Sequence, residues 1–166
     1  MSKRRIFAVT GGVVLLAGIG ILGFTQFRLS AVEEPGHFET LAATRAKHLL
    51  VRRASRNGIP PAPVDLQSSL VEGDKLFGIE CGACHGLDGR RPTDAGRWMY
   101  PRAADLTSKE VQSYSDRELF WIVKNGIRLS GMPAFAKVES DEHIWDLVLY
   151  LRTLPGKTME KAESRK

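Results

Sequence analysis

A chain of 166 residues, 43% hydrophobic and 26% charged, has room for one folded domain of ordinary size. Its formal net charge of +5 lies in the ends and the linker, because residues 68–156 carry eleven basic against thirteen acidic side chains. No interleaved basic and aromatic stripe runs through that stretch, which excludes the usual footprint of a nucleic-acid partner.

Lys3, Arg4 and Arg5 precede an uncharged run from Ile6 to Phe27 that ends at Arg28. At about 1.5 Å per helical residue the run spans roughly 33 Å, against a hydrocarbon core of about 30 Å. It is longer than the apolar stretch of a cleaved signal peptide, so residues 1–28 are expected to form a single transmembrane anchor with its N-terminus in the cytoplasm. The lipid bilayer is then an expected partner.

Residues 29–66 read as a basic helical and proline-rich linker. Leu41 to Arg56 has helical composition, with Arg45, Arg52 and Arg56 at the helical period. Asn57 and Gly58 read as its stop, and Pro60, Pro61 and Pro63 as a stiff connector. Contact with anionic lipid, contact with a partner complex and plain solvated surface all suit that basic face.

The globular domain is expected over 67–156, with a charged tail at 157–166. Three helices are predicted in it: about Leu70 through Cys84, about Asp116 to Asn125 with Ser115 or Asp116 as cap and Gly126 as stop, and about Asp141 to Leu154. No strand pattern is present. Residues His85 to Ser115 read as loop, long enough to need a cofactor to organise it.

The two cysteines, Cys81 and Cys84, stand two residues apart with His85 next, in Cys81-Gly82-Ala83-Cys84-His85. That spacing supplies two thiols for the two vinyl groups of haem and an imidazole for its iron in the minimum length. A thioredoxin-like redox pair would want a strand before the motif, and a zinc site further ligands than the scattered His37, His48 and His143. One covalent haem c is therefore expected.

Methionine sulfur is a common second axial ligand where electron transfer is the task. Met1 lies before the anchor and Met159 in the tail, while Met99 follows the motif by only fourteen residues. Met132 stands in Ser130-Gly131-Met132-Pro133 after the second helix, where glycine allows close approach and proline stiffens the strap. Met132 is the expected ligand, with Met99 as alternative. Arg97, Trp98, Tyr100 and Arg102 are candidates for the haem carboxylates, Arg102 the favoured one.

Taken together, Glu72-Gly73, Leu76-Phe77, the Cys-x-x-Cys-His motif, Gly126-Ile127, Gly131-Met132-Pro133 and the Trp145–Leu151 segment resemble a class I cytochrome c over about residues 70–155. The nearest likeness is to the cytochrome domains of cbb-type oxidases. The resemblance implies an all-α fold in which the first and last helices cross, placing Gly73 and Phe77 near Tyr150. It also implies a proline carbonyl as acceptor for the His85 ring N–H; Pro92 and Pro101 both compete for that role, and Pro101 is preferred.

The expected function is outer-sphere electron transfer by a tethered carrier or subunit, with no small-molecule substrate and with a respiratory or photosynthetic membrane complex as donor or acceptor. Two other readings stand beside it: a haem sensor or peroxidase-like enzyme with a displaceable methionine, and a mainly structural subunit.

Overall fold

The computed structural model describes residues 3–26 and 32–163, and Arg28, Met1 and the last three residues of the charged tail lie outside them. The chain separates into two compact units, Met1–Glu34 and Pro35–Lys166.

The first unit holds helix α1, Lys3–Gln26. The expectation of a transmembrane helix is corrected here: among the described residues no helix is long and apolar enough to cross a membrane. An uncharged run is not the same as an apolar one. Five positions of this run are glycines, which offer no side chain to hydrocarbon, and the helix itself opens on Lys3, Arg4 and Arg5.

The second unit contains α2 (His37–Ala54), α3 (Leu66–Leu76), α4 (Gly82–His85), α5 (Asp94–Trp98), α6 (Lys109–Gln112), α7 (Asp116–Asn125) and α8 (Asp141–Glu163), with no strand among the described residues. The helix predicted through Cys84 is present and runs without a break to His85, with α3 and α4 joined by a wide π-type turn over Phe77–Cys81. The predicted loop holds α5 and α6, each started by a hydroxyl. Thr93 accepts from the Gly96 N–H and Ser108 from the Val111 N–H, satisfying donors that a helix start leaves free. Helix α8 runs through Pro155, beyond the predicted end at Leu154.

The core is built on the crossing of α3 and α8. Gly73 lets them approach: a Cβ there would lie 2.8 Å from the Tyr150 Cβ and against the Asp146 backbone. Phe77 then packs its ring 5.3 Å from that of Tyr150. Ile144, Leu147, Val148, Leu151 and Leu154 recur on one face of α8 and are buried with Phe120 and Leu119 of α7. Arg152 ties the α6–α7 corner to α8, donating to the carbonyls of Gln112 at 3.0 Å and Tyr114 at 2.5 Å and to Asp116 at 2.7 Å.

Helix α2 packs on this unit. Val51 is 2% exposed in the core. Arg117 donates to the Arg56 carbonyl at 3.1 Å, next to the end of α2, and Tyr100 donates to Glu39 at 2.9 Å. The connector is held as well, since the Trp145 ring N–H donates to the Pro60 carbonyl at 3.1 Å.

Candidate haem site

The wide turn and α4 bring Cys81, Cys84 and His85 to one wall of a cleft that is partly open to solvent. Loop residues support the motif from beneath. The Thr93 hydroxyl donates to the Ala83 carbonyl at 2.5 Å, and the Thr93 N–H to the Cys84 carbonyl at 3.1 Å. Gly96 lies so close to the Cys84 carbonyl that a side chain would collide with it.

His85 makes its ring contact from Nδ1 to the Ala104 carbonyl, 2.9 Å away. The acceptor is thus Ala104 and not Pro101: the chain turns after Pro101, and the carbonyl three residues on is the one presented to the ring. Pro101 instead lines the cleft. With Nδ1–H donated to Ala104, the tautomer leaves Nε2 as a free lone pair, the arrangement a metal-binding imidazole needs. Burial lowers the His85 pKa, which favours the neutral ring. Burial, with Glu80 and Cys84 beside it, pushes the Cys81 thiol up to about 12.

The strap after α7 also lines the cleft. Gly126, at φ +66°, ends α7 with its Cα against the Pro133 backbone, so the chain can fold back. The strap is pinned by the Ser130 hydroxyl, which donates to the Ile127 carbonyl at 2.7 Å and accepts from the Met132 N–H at 3.2 Å. Ile127, Gly131, Met132 and Pro133 all face the cleft. Met99 lines it too, with its sulfur 2.5 Å from where a Cβ on Gly131 would stand, so the two candidate methionines come from different loops onto one wall.

Arg102 lines the cleft. The other carboxylate candidates do not: Arg97 pairs with Asp94, Trp98 is 82% exposed, and Tyr100 holds Glu39. His48 stacks on Tyr114 with ring centroids 4.2 Å apart, and His37 opens α2. Sequence reasoning missed three contributors: the Ala104 carbonyl, Thr93 beneath the motif, and Lys47 of α2, which lines the cleft. Thr93 as a helix cap had a readable signal; the other two depend on long-range packing.

Two thiols, one imidazole with a free Nε2 and two candidate thioethers, Met99 and Met132, around one largely apolar cleft fit an iron porphyrin, and the all-helical fold around them defines a mono-haem class I c-type cytochrome domain. Residues 68–151 match the family described as cytochrome c oxidase, cbb3-type, subunit III, and the chain belongs to that family. Its cofactor is covalent haem c. It is an electron-transfer haem protein.

The chain is similar to a cytochrome c6 of Thermosynechococcus vestitus, 30% identical over 54% of this chain and 73% of that protein. It is also similar to a thiosulfate dehydrogenase of Allochromatium vinosum, 31% identical over 60% of this chain but only 36% of that enzyme. Among solved structures, a chain of the Kuenenia stuttgartiensis reducing HAO-like protein complex matches with a TM-score of 0.49 and 24% identity, over 57% of this chain and 50% of that one. The chain thus spans about a third of the dehydrogenase and half of the solved chain.

Proposed function

We propose that this chain relays single electrons between other redox proteins, with Cys81 and Cys84 as the residues that would hold the haem covalently and His85 and Met132 as those that would bind its iron. The observation that carries the reading is the convergence, on one cleft, of the motif wall and the strap that presents Met132. When bound, the haem supplies a one-electron iron couple.

Each residue has a physical task. His85 is oriented by the Ala104 carbonyl, and Met132 is held by the Ser130 turn, so both ligands stand in place before any electron arrives. Ile127, Pro133 and Phe135 keep water from the sulfur side. Arg102 offers a cation to the haem carboxylates. Side-chain ligation by both His85 and Met132 would leave the iron no open position for a small substrate, which would make the chain a carrier or subunit and not an enzyme in its own right. Its partner is a protein redox complex of the oxidase kind that the family description names, respiratory or photosynthetic, and its haem domain works outside the cytoplasm.

The test is a visible spectrum of the reduced protein with and without carbon monoxide. Unchanged bands are expected. A fast, large shift would show an open iron and favour the sensor or peroxidase reading.

A further inference from the structure

The family match begins at residue 68, yet a residue twenty-one positions earlier reaches the haem cleft. Lys47, in the middle of α2, lines the cleft together with Cys81, His85 and Met132. Its ammonium pairs with Glu110 at 3.2 Å. The helix that carries it is fixed at three points along its length and just beyond: Tyr100 to Glu39 near the start, the buried Val51, and Arg117 to the Ser55 and Arg56 carbonyls past the end. Lys47 is therefore presented to the cleft by a docked helix.

An ion pair with side chains 35% and 50% exposed contributes little to stability, because water screens it and two long side chains must be ordered to form it. A fixed charge at the wall of a redox site acts on something else. The oxidised haem carries one more positive charge than the reduced haem, so a nearby ammonium disfavours oxidation and a nearby carboxylate favours it. Glu80 and Arg102 also line the cleft, but both lie within the family-matched stretch.

We propose that Lys47 is a haem-site residue contributed from outside the family-matched stretch, and that its charge, balanced by Glu110, sets the reduction potential of the iron. The proposal rests on the electron-transfer reading above. Helix α2 is then a further wall of the cleft and an electrostatic control on it, so two chains with the same matched domain and different preceding helices would differ in potential.

The experiment is a potentiometric titration of the haem-loaded full chain at fixed pH and salt, for the unsubstituted protein and for Lys47→Gln, Glu110→Gln, Lys47→Arg and the double glutamine variant. At a fixed ambient potential, Lys47→Gln should raise the ratio of oxidised to reduced haem by roughly three- to tenfold, as for a partly screened unit charge at an effective dielectric of about 20. Glu110→Gln should lower the ratio. Lys47→Arg should leave it nearly unchanged, and the double variant should return close to the starting value. A merely structural role would shift both single variants in the same direction or neither. Either result, in protein that retains its haem and its reversible couple, overturns the proposal. Failure of the underlying reading would appear separately, as the absence of a reversible one-electron couple in the unsubstituted chain, and would overturn both.

Discussion

Replacing Gly73 with alanine sets two effects of known size against each other. In a helix interior alanine is favoured over glycine by about 1 kcal/mol, so on propensity alone the change stabilises. The added methyl, however, would stand 2.8 Å from the Tyr150 Cβ and the Asp146 carbonyl carbon, where carbon atoms rest at about 3.5–4.0 Å. With the Asp146 carbonyl oxygen closer still at 2.3 Å, the α3–α8 crossing must open by roughly 1 Å, and the obstructing atoms are backbone and Cβ, which cannot rotate aside. Overpacking of this kind costs about 1–3 kcal/mol, and rigid neighbours place this case near the top. The net is a loss of about 2 kcal/mol, or roughly 8 °C in melting temperature for a domain of this size. Thermal melts of the haem-loaded protein by circular dichroism would measure it. Gly78→Ala serves as control, since nothing stands within 4 Å of its Cβ position, and it should melt at or slightly above the parent. A Gly73→Ala protein that melts as high as the parent would refute the account of the crossing.

The ligand assignment predicts that Met132→Ala lets the reduced protein bind carbon monoxide while Met99→Ala does not, and the reverse pattern would make Met99 the ligand. Ser115→Ala removes the capping box of α7, in which the Ser115 hydroxyl accepts from the Glu118 N–H at 3.3 Å and Glu118 accepts the Ser115 N–H at 2.7 Å; denaturant unfolding should show a loss of about 1 kcal/mol. His143 has its pKa raised by the hydrogen bond to Glu139 at 2.7 Å. Its contribution to stability is therefore present below about 6.5, the unfolded value, and is lost as pH rises through the folded pKa. NMR titration should find the His143 midpoint lowered in Glu139→Gln and unmoved in Ser115→Ala.

What the sequence disclosed depended on the range of the interaction. The start and stop of α7 were legible because Ser115, Glu118 and Gly126 act within a few residues of one another. The Cys81–His85 motif was legible because its chemistry is written in adjacent residues; the strap carrying Met132 lines the same cleft, and so does Met99. The helix through Cys84 was legible in its composition, but the wide π-type turn at Phe77–Cys81 within it was not, since no residue type there marks the one extra residue per turn. The acceptor for His85 was misplaced by three residues, since which carbonyl of a loop faces a ring is decided by the turn and not by residue type. The role of α2 was the least legible. Its arginines marked it as basic, but Val51 in the core and Lys47 at the cleft follow from contacts with residues sixty or more positions away. The reading of α1 as a membrane span counted uncharged residues where apolar side chains were needed.

The most direct test of the central claim is the intact mass of the denatured protein after expression alongside haem-attachment machinery. The mass should exceed that of the 18.4 kDa polypeptide by one haem, and Cys81→Ser with Cys84→Ser should abolish the increment. A parent protein with the bare polypeptide mass, or an increment that survives loss of both thiols, would contradict it.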